Sequence, residues 1–476
     1  MIKYLFYIVF SSCLLGSQVK TFSLQEAEEL ALTRNEQIQE MDHLVEKARY
    51  GHLVAISDWL PKLELISQAF QTQHDQIGGS NRKSSFLTQL QLSQTLFSAD
   101  KYYDLKITRL IQEELQWIKL GMVNDVLYDV RRIYFKIILD KNQIETAKVH
   151  IDVLKALALR MEKRLEIGTA TTFDVNQLQV AVSNLLSVYY KATKQLKVDL
   201  DTFAKLLGYD PGSIALEVEE ESIPLGAIPF LRKKLAGQEE AFLKEQGSAS
   251  LIFLPTNPAR QERWLDTLFT KEEMSDWEEV ALRFRPDLVR QEKAWDVARA
   301  QVKKARGDYF PTLEFGASYG GEPTPFDEYP RSSFGNQDFQ WGLGVTLRWN
   351  LFDSLKRERK ILASQAEARA EKSSLNAQKQ EALKEVRDDL FSIAHSMATY
   401  VSAKGTIKLA KQALEQAEEK LEIGYLSIFD YQIAVNHYIE ALHLFFTSQY
   451  ELIDSYYLLR HATGIDVEKK ENVYER

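Results

Sequence analysis

Few residues in this 476-residue chain are spaced to do chemistry. Its eight histidines are scattered, and the closest two, His437 and His443, stand six residues apart. That spacing puts them on different faces of a helix, so they do not converge on a metal. Cys13, the single cysteine, excludes a disulfide framework and a thiolate zinc site. No Gly-rich phosphate loop, Gly-x-Ser-x-Gly elbow or metal-ligand spacing occurs. Asp174 and Asp430 stand out by position: each follows a Gly-centred break, near the start of a helix. There a carboxylate offsets the macrodipole and takes up free N–H groups. The expectation is a protein that is not an enzyme and holds no cofactor or metal.

The elements must then position something other than a catalytic site. With 45% hydrophobic and 27% charged residues, the chain is too apolar for disorder and too polar for a helical membrane protein. A net charge of −9 argues against nucleic acid as a partner, because neutralising phosphates needs clustered cations. At the N-terminus Lys3 precedes an apolar run, Tyr4 to Leu15, broken only by Ser11 and Ser12. This reads as a signal peptide over residues 1–20, cleaved between Gly16 and Lys20. Cys13 lies inside it. Phe10 fits a lipidation motif poorly, and both lipidation of Cys13 and its removal with the signal stay open.

Proline punctuates the rest. None lies between Pro61 and Pro211 or after Pro330, which predicts two long helical regions. The chain also reads as an internal duplication. Trp59-Leu60-Pro61-Lys62-Leu63-Glu64-Leu65 returns as Tyr309-Phe310-Pro311-Thr312-Leu313-Glu314-Phe315, and Leu165-Glu166-Ile167-Gly168 returns as Leu421-Glu422-Ile423-Gly424. The first repeat is expected over 21–208, with strands about 61–76 and 84–97, a long helix about 99–166 and a break about 167–173. The second is expected over 275–464, with strands about 311–320 and 338–352, a long helix about 354–422 and a break about 423–429. Residues 209–274 join them, and 465–476 form a C-terminal tail. Each repeat is expected to open with one helix running to Pro61 or Pro311, capped by Ser23-x-x-Glu26 or Ser275-x-x-Glu278.

Stepping 3-4-3-4 from Val123 through Val126, Val130, Ile133 and Ile137 to Leu165 meets apolar residues throughout, Asp140 excepted. A sustained repeat of this kind means coiled-coil packing. At 1.5 Å per residue such a helix spans about 100 Å. Phe339, Trp341, Leu343, Val345, Leu347 and Trp349 occupy every second position, with Gln340, Gly342, Gly344, Thr346, Arg348 and Asn350 between them. That alternation is one wall of a barrel with a lipid-facing band and an aqueous interior. Leu313, Phe315, Ala317 and Tyr319, and in the first repeat Phe86, Thr88, Leu90 and Leu92, alternate less cleanly. Closing a barrel takes about eight strands or more, and open edges do not survive in hydrocarbon. Four strands per chain therefore require oligomers, a trimer with twelve strands or a tetramer with sixteen.

The export signal, the duplicated helix-strand-strand-long helix-helix plan and the Ile-Gly-x-x-x-x-Phe-Asp break together resemble the TolC-like outer-membrane efflux and secretion channel family. The resemblance implies a mainly α fold with membrane β-strands. A homotrimer would form a twelve-stranded β-barrel continuous with a long α-helical coiled-coil barrel in the periplasm. Residues of the linker and tail would form an equatorial belt. It further implies a passive exit duct of a tripartite pump, joined through a periplasmic adaptor to an inner-membrane transporter. Ile167, Gly168, Ile423 and Gly424 would form the periplasmic tip that meets the adaptor. Asp174, Asp430, Leu426 and Ile433 would lie at the pore constriction. Leu426, Ile433 and Leu421 stand where better-studied members carry an arginine, an aspartate and a tyrosine, so an ionic seal is not expected. The outer-membrane component of a type I protein secretion system is the alternative within the family. A periplasmic coiled-coil scaffold is the alternative outside it.

Overall fold

The computed structural model describes residues 20–76, 79–212, 215–219, 222–236, 269–321, 324–325, 339–423 and 425–466. Residues 1–19 of the expected signal peptide, Gly424 and most of the tail lie outside them. The described residues fall into two compact units, one built from residues up to Glu40, Leu120–Pro286 and from Gln380 onward, the other from Met41–Lys119 and Asp287–Lys379.

In the first half α1 (Leu24–Arg34) is followed by α2 (Glu36–Ser57), β2 (Lys62–Gln76), β3 (Gly79–Phe97), α3 (Ala99–Glu166) and α4 (Thr172–Leu206). The second half repeats the order as α5 (Lys271–Phe284), α6 (Pro286–Gly307), β5 (Thr312–Gly321), β7 (Phe339–Arg348), α7 (Lys356–Glu422) and α8 (Ile428–Thr463), with the two-residue β6 (Thr324–Pro325) between β5 and β7. Two short strands, β1 (Lys20–Phe22) and β4 (Leu216–Val218), pair in parallel, so Lys20 belongs to a strand.

Two expectations need correction. The opening helix of each half is broken rather than continuous. In the first half Asn35 takes extended backbone, its side chain donating to the Leu206 carbonyl at 3.0 Å and accepting from Gln37 N–H at 2.9 Å. It thereby closes α1 and caps α2. In the second half Arg285 is extended because Pro286 follows, and proline is well placed at the first helical position. The second cap is also displaced. Ser275 and Glu278 lie inside α5, and the reciprocal bonds are made by Thr270 and Glu273, each 3.1 Å. The same Ser/Thr-x-x-Glu pattern fits two frames here. The upstream frame wins because Phe269 just before it is buried in the core against which Met274 also packs, a hydrophobic staple.

The core of the first unit follows the 3-4 ladder. Val123, Val126, Val130 and Ile137 of α3 are fully enclosed, with Phe203 of α4, Val386, Leu390 and Ile393 of α7, and Leu452 and Leu459 of α8 around them. Two glycines close matching joints. A side chain at Gly208 would meet the Arg34 carbonyl at 2.5 Å, and one at Gly464 would meet the Phe284 carbonyl at 2.6 Å. The end of each last helix thus sits directly on the end of the first helix of its half.

Within the second unit the strands form an antiparallel sheet in the order β2-β3-β5-β7, with β6 added to β3. Register fixes the faces. Trp341 lies opposite Tyr319, Tyr319 opposite Leu90 and Leu90 opposite Leu65, while Leu343, Ala317, Leu92 and Leu63 form the next row. The alternate residues put Gly342, Ser318 and Gln91 on the other face. A bulge between Thr95 and Phe97 bends the base of β3.

Candidate functional site

The first break starts where α3 ends. Gly168 adopts φ +74° and donates to the Leu165 carbonyl at 3.0 Å, and Thr169 N–H returns to the Arg164 carbonyl at 2.8 Å. This left-handed stop satisfies carbonyls that the helix leaves open. Ile167 beside it is 74% exposed, and Phe173 just beyond is exposed too. Thr171 then caps α4: its N–H donates to Asp174 Oδ2 at 2.9 Å, and Asp174 N–H donates to its Oγ1 at 3.3 Å.

The second break is built alike. Tyr425 and Leu426 N–H groups both return to the Lys420 carbonyl, at 2.9 and 3.2 Å. Ser427 caps α8, donating its hydroxyl to Asp430 Oδ2 at 2.7 Å and accepting from Asp430 N–H at 3.1 Å. Ile423 is exposed, and Tyr425 at 84% is the most exposed large hydrophobic residue described. Leu426 is half-buried and Ile433 exposed. Beneath both breaks lies one apolar cluster of Leu154, Leu157, Met161, Val175, Leu178 and Ile428, against which Leu421 and Phe429 pack. The structure thus unites the two breaks over a shared core. Both aspartates serve as helix caps, bonded to Thr171 and Ser427 rather than to Lys163, Arg164 or Lys420.

The apolar residues of β7 share one face of the sheet, and Trp341 is 73% exposed, with Leu343, Val345 and Leu347 similar. Trp349 falls just past the strand, its indole N–H donating to the Tyr309 carbonyl at 3.0 Å. The side chain of Phe339 is outside the described residues. β2 and β7 end the sheet, so each has one edge without an in-chain partner among the described residues.

Sequence reasoning passed over Tyr425, whose only signal was an aromatic residue in a break of polar and small ones. It also missed what surrounds Asp140, the one polar residue on the α3 ladder. Asp140 is 4% exposed and lies against Asp199 of α4, and its Oδ2 has no hydrogen-bond partner. Lys136 reaches Asp199 at 3.2 Å, and Gln195 donates to both Asp199 oxygens. Burial first, then a hydrogen bond and repulsion from Asp199, push the Asp140 carboxyl up to about 7, with Lys136 opposing. A carboxyl raised in the fold stabilises it most below its unfolded value near 3.8, and this stability is lost as pH rises through 7. Asp140→Asn keeps the shape of the protonated group. It should raise the resistance to urea at pH 8 by on the order of 2 kcal/mol and change it little at pH 4. An equal shift at both pH values would show that Asp140 is not protonated in the fold.

A duplicated set of long helices, two capped breaks over one core and a sheet with one apolar face fit the plan of a TolC-like outer-membrane channel. Residues 28–209 and 277–464 match the outer membrane efflux protein family, and the chain belongs to it. It is similar to the outer membrane protein TolC of Vibrio cholerae, with 19% identity over 410 residues, 85% of this chain and 82% of that protein. Among solved structures it is similar to the CmeC outer membrane channel of Campylobacter jejuni, with TM-score 0.73, 15% identity and coverage of 95% of this chain and 88% of that one. The outer membrane protein VceC of Vibrio cholerae gives TM-score 0.69 and 15% identity, over 93% of this chain and 96% of that one. Family and fold are those of channels rather than enzymes, and the protein is one of the outer membrane. A scaffold that never enters a membrane is thereby set aside.

Proposed function

We propose that the chain forms a homotrimer whose three sheets close a twelve-stranded barrel, and that this trimer is the passive exit duct of a tripartite efflux pump. The observation that carries the reading is the sheet itself, apolar on one face, polar on the other and, among the described residues, open at both β2 and β7. Unpaired backbone costs several kcal/mol per group in hydrocarbon, so β7 of one copy pairs with β2 of the next. The polar face then lines an aqueous lumen and the apolar face meets lipid. Ile167, Gly168, Ile423 and Gly424 form the surface that docks the periplasmic adaptor, through which an inner-membrane transporter supplies the energy. Exposed apolar side chains at both tips, Ile167, Phe173, Ile423 and Tyr425, support that docking. The seal of the closed pore is apolar, from Leu426 and Ile433, while Asp174 and Asp430 add negative charge near it.

The tip test uses side chains that support nothing beneath them. Ile167→Asp combined with Tyr425→Ala should abolish efflux-dependent resistance and crosslinking to the adaptor, yet leave detergent-resistant trimers. Disappearance of the trimers would assign these residues to folding and remove the docking role. Retained resistance would place the adaptor elsewhere.

A further inference from the structure

At the base of β5 and β7 a cavity of about 320 Å³ is lined by four cations and three carboxylates. The carboxylates are already matched. Asp308 pairs with Lys360 at 2.7 Å, Asp353 with Arg357 at 3.0 Å, and Asp100 with Lys304 at 3.4 Å. Arg357 is fixed further, lying over the Tyr309 ring at 4.7 Å and donating to the Leu351 carbonyl at 3.2 Å. Arg348 and Lys356 also line the cavity, and neither makes an ion pair among the described residues. Two positive charges are therefore left over in a concave site.

The cavity opens on the polar face. Arg348 is the Cα partner of Thr312, which lines the cavity with it, whereas Leu347 and Leu313 point to the opposite, apolar side. Lys356 is set there by an unusual turn. Ser354 and Leu355 take φ of 58° and 65°, left-handed backbone at two successive residues that are not glycine, and Lys356 N–H returns to the Asp353 carbonyl at 3.2 Å. Such strain persists where the surroundings over-determine it, and it concentrates at working sites.

We propose that this cavity is an oxyanion-binding station in the channel lumen, where Arg348 and Lys356 hold a phosphate, sulfate or carboxylate group of a passing solute. The guanidinium offers a two-pronged donor set that matches such a group, and the ammonium adds a point charge. The matched pairs around them hold the walls without spending these two cations. On a chain of net charge −9 the site gives anions a local foothold. The inference rests on the reading that the polar face lines the lumen.

Asn350, another lining residue, supplies the reporter. Full-length protein carrying Asn350→Cys is reconstituted in liposomes and treated with anionic or cationic methanethiosulfonates, with modification read on the peptide that contains residue 350. The anionic reagent should react about fivefold faster than the cationic one, and inorganic phosphate should slow it. Adding Arg348→Gln and Lys356→Gln should erase both effects, whereas Arg348→Lys with Lys356→Arg should retain the preference. Equal rates unmoved by phosphate would overturn the anion site and leave the aqueous polar face standing. No reaction with either reagent would overturn both.

Discussion

Replacing Arg131 with methionine should lower the stability of the fold by about 3–5 kcal/mol, the usual cost of removing one member of a buried ion network. Arg131 of α3 is buried and bonds Glu28 of α1 at 2.6 Å and Asp466, which follows α8; Asp466 also pairs with Arg460. The guanidinium lies over the Tyr457 ring at 5.0 Å. Methionine keeps the apolar stem but leaves Asp466 buried with Arg460 alone. Burial by itself would raise the Asp466 carboxyl, yet Arg131 and Arg460 hold it below the usual carboxylate range. Its contribution is therefore present above the unfolded value of 3.8 and is lost as pH falls through the lower folded value. Urea unfolding in detergent should show the full loss at pH 7. Part of the difference between variant and parent should vanish in acid. A loss under about 1 kcal/mol at pH 7 would mean the network merely breaks even against an apolar replacement.

Val345→Arg should block membrane insertion, while Thr346→Arg should be tolerated. The two residues are adjacent on β7, Val345 opposite Phe315 and Thr346 opposite Glu314, so their side chains leave opposite faces of the sheet. An arginine on the lipid side of a barrel at mid-depth costs ~2–4 kcal/mol. One facing an aqueous lumen is hydrated and costs little. The yield of detergent-resistant trimers in outer-membrane fractions reads the difference. Similar losses from both substitutions would remove the assignment of faces, and with it the closed twelve-stranded barrel.

Much of the fold was written in local pattern. The 3-4 ladder from Val123 is buried except at Ile133 and Leu165, which are partly so, because a helix side that repeats every 3.5 residues packs against a neighbouring helix. The alternation from Trp341 to Leu347 does lie on one face, since strand geometry sends successive side chains to opposite sides. The helix stop at Gly168 was legible because left-handed backbone selects glycine.

Other features depended on partners far away in the chain. The break at Asn35 is held by the Leu206 carbonyl, and the choice of Thr270 over Ser275 as a cap follows from where Phe269 is buried. Asp140 looked like a lone flaw in an apolar ladder until Asp199 came to lie beside it. Periodicity, capping pattern and proline spacing act within a few residues, so the sequence alone determined the long helices and the strands, their duplication and the apolar faces. Which cap prevails, which carboxyl is pushed up by burial and which cations lack an ion pair depend on desolvation and distance between segments. Those quantities exist only once the chain has packed, and so the tertiary structure decided them.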